Sequence, residues 1–133
     1  SAFKKSRCLV PISGWYEWKI IDDVKQPFFF KHKENQNMFA AGLYWPRSDG
    51  STEFTIITTA APLEINEVHD RSPLILNDVS MGIWLSDDNP EDIHVNISHD
   101  FGHIIENYQV TRSVNNPKNN NASLIEEFNE VPF

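Results

Sequence analysis

The hydrophobic positions of the chain fall in short runs that are rich in β-branched and aromatic residues and are separated by turn-forming residues. Such runs are typical of β-strands, because these side chains pack well on a pleated, half-buried surface. The pattern predicts strands at 7–12, 14–20, 27–32, 39–45, 54–59 and 107–113. Clusters of Asp, Asn, Ser and Gly predict turns at 22–23, 35–37 and 48–51.

Helical signals come later in the chain. Asn77 or Asp78 is predicted to cap a short helix that runs through Leu85. Asn89 followed by Pro90 predicts a second helix, because proline is favoured at the first helical position.

The elements together predict one domain of the α+β class. Residues 115–123 are rich in Asn and contain a proline, which predicts a loop or an extended tail. No repeat or linker divides the chain, and 133 residues suffice for a real core, so residues 1–133 are assigned to a single domain. The expected architecture is a curled, barrel-like antiparallel sheet with a few short helices.

Composition excludes several classes of protein. No apolar run approaches the roughly 18 to 20 residues that span a bilayer, and no secretory signal is visible, so the expected compartment is intracellular. The single cysteine, Cys8, cannot form an internal disulfide or belong to a Cys-rich zinc site.

The charge of the chain is unevenly distributed. The net charge of -8 argues against a general nucleic-acid surface. Residues 1–33, however, hold seven basic and three acidic side chains (+4), and the rest hold four basic and sixteen acidic ones (-12). This asymmetry permits a basic face near the N-terminal end, although solvated charges at strand ends explain the same numbers.

The second predicted strand places a carboxylate among aromatic side chains. Because alternate residues of a strand share a face, Trp15, Glu17 and Lys19 point one way, and Tyr16 and Trp18 point the other. A partly desolvated Glu17 would have a raised pKa and could exchange protons near neutrality. The structural alternative is an exposed glutamate paired with a lysine.

Polar residues also gather where the strand ending at Thr58 and Thr59 leaves the core. His69 could act as an acid, base or hydrogen-bond donor, and Arg71 could bind a phosphate or carboxylate. The alternative is a local Asp70–Arg71 ion pair with a histidine packed beside it.

Two further candidates are interpreted as structural. Cys8 opens an apolar run, which favours a packed small side chain over a nucleophile. His99 and His103 would share a face if they lay on one helix, and with His94 they suggest a metal site. Gly102 weakens that helix and no further ligand has a persuasive spacing, so no metal is predicted.

Several motifs occur together in register: residues 7–11 (Arg-Cys-Leu-Val-Pro), 14–18 (Gly-Trp-Tyr-Glu-Trp), 58–60 (Thr-Thr-Ala), 69–73 (His-Asp-Arg-Ser-Pro) and 114–117 (Val-Asn-Asn-Pro). In order and spacing they resemble the SOS response-associated peptidase (SRAP) family along nearly the whole chain.

The resemblance implies a protein of the DNA damage response that recognises abasic sites in single-stranded DNA. Family members use an N-terminal cysteine whose amine and thiol close a thiazolidine with the sugar aldehyde, leaving a covalent DNA–protein crosslink. They are also described as autoproteolytic. A monomer that needs no cofactor or metal is expected, with a cytoplasmic location and binding to the nucleoid when the protein is on DNA.

Matching the motifs carries roles to individual residues. Glu17 corresponds to the glutamate that shuttles protons during Schiff-base formation, and His69 to the histidine that assists opening of the sugar ring. Arg71 and Thr58 correspond to contacts with the DNA backbone beside the lesion, and Trp15 is predicted to contact DNA as well.

The chain departs from the family pattern at several positions. It opens at Ser1 rather than with the reactive cysteine, and the family's Asn-Ala-Arg segment is absent. Ser72 replaces a methionine and Ser6 an arginine. The expectation is that this chain is the C-terminal portion of a SRAP-like domain and does not form the crosslink alone. The alternative is a non-catalytic scaffold or a single-stranded DNA-binding module.

Overall fold

The computed structural model describes residues 6–128. Over this range the strands are β1 (Arg7–Ile12), β2 (Gly14–Ile21), β3 (Val24–His32), β4 (Met38–Pro46), β5 (Thr52–Ile56), β6 (Thr58–Ala60), β7 (Arg71–Pro73) and β8 (Ile105–Gln109). The helices are α1 (Leu63–Asn66), α2 (Asp78–Trp84) and α3 (Pro90–Asn96), with 3₁₀ turns at Gly102–Ile104, Arg112–Asn115 and Ala122–Ile125.

The strands form three antiparallel sheets with the orders β1-β4-β5, β2-β3-β8 and β6-β7. The predicted α+β class is therefore confirmed. Within the described range the sheets do not close into a barrel. The predicted strand 54–59 divides at Ile57, whose N–H donates to Ala41 O at 2.8 Å, so that Thr58–Ala60 is free to pair with β7.

The tight turn between β2 and β3 follows from its sequence. Asp22 and Asp23 both have positive φ, 49° and 63°, and they join the paired residues Ile21 and Val24. Positive φ at both central residues is the conformation that two-residue hairpins require, and Asp tolerates it better than most residues do. The prediction of a turn at 22–23 is confirmed.

The final strand is shorter than predicted. Residues 107–113 were expected to be extended, but β8 ends at Gln109 and a 3₁₀ turn occupies Arg112–Asn115. The hydroxyl of Thr111 accepts the N–H of Ser113 at 3.3 Å, a local bond that competes with continued strand pairing. Most of the segment 115–123 is irregular, as predicted.

The helices are short and begin at the predicted caps. The side chain of Asn77 accepts the N–H of Ser80 at 2.8 Å, and that of Asn89 accepts the N–H of Asp92 at 3.0 Å. At the other end of α2, Arg7 donates to the carbonyl of Trp84 at 2.5 Å, a favourable position for a cation. No helix within residues 6–128 has the length and apolar character to cross a membrane.

The core joins the sheets to the helices. Its buried members include Phe30 from β3, Ala40 from β4, Trp84 from α2, Ile93 from α3 and Ile105 from β8. Because one cluster receives side chains from so many elements, the positions of the sheets are fixed relative to one another.

Candidate functional site

Glu17 and His69 lie together although they are distant in the sequence. Glu17 projects from β2, whereas His69 lies in the loop between α1 and β7. Its backbone N–H donates to the carbonyl of buried Ile65 at 3.2 Å, which ties this loop to the core. Glu17 Oε2 is 3.8 Å from His69 Nε2.

The surroundings of Glu17 disfavour its charged form. Phe28 lies directly opposite it on β3, Trp15 shares its face of β2, and its side chain is 21% exposed. Burial raises the pKa of Glu17, His69 partly offsets this shift, and Asp70 adds to it. The predicted direction of the pKa shift is confirmed, and the partner is a histidine rather than a lysine.

The orientation of the His69 ring is set by the backbone. The N–H of Arg71 donates to His69 Nδ1 at 3.1 Å, and the carbonyl of Arg71 lies 3.2 Å from the same nitrogen. These contacts orient the ring and leave Nε2 on its other side. This is the nitrogen that faces Glu17. The pair therefore places an imidazole nitrogen and a carboxylate on either side of a gap wider than a hydrogen bond, as often occurs in unliganded acid–base sites.

Arg71 and Thr58 form a second group at the adjoining strand ends. Arg71 Nη2 donates to the carbonyl of Thr58 at 3.0 Å and to its hydroxyl at 3.1 Å. Within residues 6–128, Asp70 instead lies 3.6 Å from His69 Nδ1, so the Asp70–Arg71 ion pair considered from the sequence is not formed. The guanidinium is exposed and anchored through one nitrogen, which leaves its other donors available to an anion.

Trp15 belongs to the core beneath this site. Its ring stacks on Phe30 with centroids 5.2 Å apart and an interplanar angle of 12°. Its indole N–H is buried and has no hydrogen-bond partner among the described residues. The structure therefore gives Trp15 a packing role beside Glu17, and its contact with DNA stays a prediction.

Cys8 lies apart from the Glu17–His69 pair, on β1 in a different sheet. Its sulfur packs so closely on Gly42 that a Cβ there would lie 2.9 Å from Sγ. Burial raises the pKa of Cys8, which disfavours the reactive thiolate. Both observations support its interpretation as a packed small side chain.

Ser72, one of the departures noted from the sequence, is buried within β7. Its hydroxyl donates to the carbonyl of Pro73 at 2.9 Å, and its side chain has no exposed surface. The expected effect of this departure is therefore on packing beneath the strand.

The three histidines considered for metal binding are arranged differently from the hypothesis. Helix α3 ends because Ile97 is extended (ψ 131°), so His99 and His103 do not share a helix. His103 instead lies 3.5 Å from Asp100, whereas the rings of His94 and His99 meet edge to face at 6.1 Å. Within residues 6–128, no group of three or more His, Cys, Asp or Glu could hold a metal ion.

Sequence reasoning missed a cavity of about 270 Å³ that adjoins Arg71 and Thr58. Thr59, His94 and His99 line it, and the hydroxyl of Thr59 lies 3.2 Å from His99 Nδ1. The only sequence signal for this cavity was the group of histidines at 94, 99 and 103. That group suggested a metal site, because the sequence does not show that Thr59 lies beside His99.

Comparisons with known proteins identify relatives of this chain. The family model described as "SOS response associated peptidase (SRAP)" matches residues 1–117. The abasic site processing protein YoqW of Bacillus subtilis is 39% identical over 128 residues, covering 90% of this chain and 57% of its own length. The abasic site processing protein YedK of Escherichia coli is 32% identical over 133 residues, covering 93% of this chain and 59% of its own.

A solved structure shares the fold. The crystal structure of a protein from Bacteroides thetaiotaomicron superposes with a TM-score of 0.81 at 22% identity, covering 96% of this chain and 59% of that one. The present chain thus spans somewhat more than half the length of these relatives.

Proposed function

Because this chain belongs to the SOS response associated peptidase (SRAP) family, whose model matches residues 1–117, we propose that the protein recognises abasic sites in single-stranded DNA and crosslinks to them. The curated relatives described above are named as abasic site processing proteins. The observation that carries the proposal for this chain is the Glu17–His69 pair, in which Glu17 Oε2 lies 3.8 Å from His69 Nε2.

The pair suits the opening of the abasic sugar. In its closed form the abasic sugar is a cyclic hemiacetal, so its aldehyde is not available for reaction. His69 in its imidazolium form donates its Nε2 proton to the ring oxygen, the C1′–O4′ bond breaks, and the Glu17 carboxylate accepts the proton of the C1′ hydroxyl as the carbonyl forms. Proton transfer by a positioned side chain of this kind accelerates reactions by about 10²- to 10⁴-fold.

Glu17 then serves the condensation of the aldehyde with an amine. The amine adds to C1′, and loss of water from the adduct needs a proton on the departing hydroxyl and removal of one from nitrogen. A carboxyl whose pKa is raised by burial is suited to both transfers, because its protonated and charged forms are closer in energy near neutrality. Addition of a thiol across the C=N bond completes the thiazolidine, with one water released overall.

The amine and thiol are proposed to come from an N-terminal cysteine, as the family resemblance implies, and not from Cys8. The Cys8 thiol is packed on Gly42 in another sheet. On this proposal, residues 1–133 form the C-terminal portion of one SRAP-like domain, and the protein has an associated autoproteolytic activity that needs the same cysteine. The nucleophile would be held beside the aldehyde at high effective concentration.

Arg71 and Thr58 are proposed to bind the DNA backbone beside the lesion. Thr58 holds the guanidinium through two hydrogen bonds to Nη2, which orients its remaining donors. A fork of donors suits a phosphate better than a single ammonium does. Arg71→Lys is therefore expected to weaken DNA binding although it keeps the charge.

The test uses full-length protein and a fluorescent single-stranded oligonucleotide with one abasic site, scored for a species that survives denaturation. The covalent species is expected for the native protein. Its formation should slow by about 10²- to 10⁴-fold in Glu17→Gln and His69→Gln. Glu106→Gln is the matched control, since this carboxylate lies in the same sheet but pairs with Lys31 at 3.2 Å.

Two outcomes would overturn the proposal. If the native protein binds the oligonucleotide without forming a covalent species, it is a non-catalytic scaffold or a DNA-binding module. If Glu17→Gln and His69→Gln react as fast as Glu106→Gln, the assignment of the acid–base pair is wrong.

The protein is further proposed to act as a cytoplasmic monomer that joins the nucleoid when bound to DNA, and to need no cofactor or metal. Sedimentation of the free protein tests the first point. Crosslinking in the presence of a chelator tests the second, and a loss of reaction there would contradict it.

A further inference from the structure

The cavity of about 270 Å³ beside Arg71 has no part in the chemistry proposed above. Thr58 and Arg71 line it, and they also form the proposed backbone contact. A DNA strand held by Arg71 therefore places a neighbouring nucleotide at the mouth of this cavity.

The interior of the cavity is apolar. Its lining includes Ile57, Leu74, Ile97 and the buried Trp84, and Leu74 and Ile97 are 5% exposed. A lining of this kind suits a flat, weakly polar ring, because a bare anion would lose its hydration there without compensation.

The rim of the cavity adds aromatic faces and hydrogen-bonding groups. His94 and His99 are exposed and meet edge to face, with an interplanar angle of 79°. The hydroxyl of Thr59 lies 3.2 Å from His99 Nδ1 and fixes that ring. Histidine rings stack with nucleobases, and hydroxyl and imidazole groups can bind the polar edge of a base.

We propose that this cavity, the His94–His99 pocket, receives the nucleobase of a nucleotide adjacent to the abasic site. This inference rests on the proposed function and deepens it. An abasic residue has no base of its own, so the only bases that can contribute to binding belong to its neighbours. Each base stacked on protein aromatic groups contributes about 1–3 kcal/mol in single-strand binding.

The pocket chemistry would also suit the base of a free nucleotide, and the experiment separates the two sources. Single-stranded oligonucleotides carry a tetrahydrofuran in place of the abasic sugar, so that the ring cannot open and binding stays at equilibrium. One oligonucleotide keeps the bases on both sides of the lesion. Two others lack the base on the 5′ or on the 3′ side, and fluorescence anisotropy with full-length protein gives each Kd.

The native protein is expected to bind one of the base-deleted oligonucleotides about 5- to 150-fold more weakly than the complete one. In His94→Ala and His99→Ala this preference should fall toward one, while affinity for the base-deleted oligonucleotide stays unchanged. His103→Ala is the matched control, since that histidine lies outside the cavity and faces Asp100.

Thr59→Val provides a second variant that removes the hydroxyl but keeps the side-chain shape. It should reduce the preference less than His99→Ala does, because the imidazole remains. Thermal melting of each variant checks that the fold persists, as expected for exposed histidines.

These measurements distinguish a failure of the proposed function from a failure of the pocket assignment. If no tetrahydrofuran oligonucleotide binds, the proposed function fails together with this inference. If the oligonucleotides bind but the histidine variants keep the native preference, only the pocket assignment is wrong. If deoxynucleoside monophosphates bind through His94 and His99 while base deletion changes no Kd, the pocket binds free nucleotides and the inference is overturned.

Discussion

One face of the sheet β2-β3-β8 packs aromatic rings under the C-terminal segment, whereas the other face carries Glu17. On the first face Tyr16, Phe29 and Tyr108 form a continuous row, with centroid separations of 5.3 and 6.1 Å. The hydroxyl of Tyr16 donates to Leu124 O at 3.2 Å, and that of Tyr108 donates to Ile125 O. The polar atoms of these rings are therefore satisfied.

The second face is less well satisfied. The Glu17 carboxylate is partly desolvated, and its Oε2 stands 3.8 Å from His69 Nε2. Close by on the same strand, the indole N–H of Trp15 is buried without a partner among residues 6–128. One sheet thus serves two purposes: the face of Tyr16, Phe29 and Tyr108 contributes stability, whereas the face of Glu17, which also packs Phe30 into the core, retains reactive groups at some loss of stability.

The largest expected effect comes from removing the centre of the aromatic row. Phe29→Ala should lower the free energy of unfolding by about 3–5 kcal/mol, because it deletes a ring that is 7% exposed and touches two tyrosines. Urea denaturation measures this loss. Phe54→Ala, at a position that is 60% exposed, should change stability by less than about 0.5 kcal/mol. Equal losses in the two variants would refute the assignment of the row as a stabilising unit.

A smaller effect is expected from the hydroxyl at the edge of the row. Tyr16→Phe removes the bond to Leu124 O and should lower the free energy of unfolding by about 1 kcal/mol. The rate of DNA crosslinking should stay unchanged, because this side chain points away from Glu17. A crosslinking rate that falls with stability intact would show that the two faces are coupled.

The smallest change in the free energy of unfolding is expected for a substitution of Glu17, and this change is a gain in stability rather than a loss. Because burial raises the pKa of Glu17 in the folded state, the native protein binds this proton more tightly than the unfolded chain does. Below the pKa of the unfolded chain Glu17 carries no penalty, and the penalty grows as the pH rises through the folded pKa. Glu17→Gln should therefore gain stability relative to the native protein as the pH rises toward neutrality.

Denaturant unfolding at several pH values measures this difference. Glu106→Gln removes the ion pair with Lys31 and should show no comparable gain. A stability difference between Glu17→Gln and the native protein that shrinks as the pH rises would contradict the desolvation of Glu17.

Much of the fold could be predicted where local physics decides it. Asn77 and Asn89 cap their helices with their own side chains. Asp22 and Asp23 form a turn because both tolerate positive φ. The end of β5 could not be predicted in this way. Its continuation at Ile57 is as apolar as the strand before it, and the break depends on the bond to Ala41 O.

The candidate site likewise has one part that local sequence predicts and another that depends on tertiary contacts. Alternation along β2 places Glu17 among aromatic side chains, so its raised pKa could be anticipated from neighbours in the sequence. The partner of that carboxylate could not, because His69 reaches it only through the packing of α1 and its loop. Similarly, the sequence presents His94, His99 and His103 as equivalent, but after α3 ends at Ile97 the chain brings the ring of His99 against His94 and leaves His103 beside Asp100.

By itself, then, the sequence determined the strand-rich α+β class, the caps and turns, and the environment of Glu17, since each depends on residues close together along the chain. Tertiary structure alone decided which groups meet: Glu17 with His69, Arg71 with Thr58, and Thr59 with His99. The physical reason is that these contacts join separate elements whose relative positions are set by burial in the common core, which no local preference encodes.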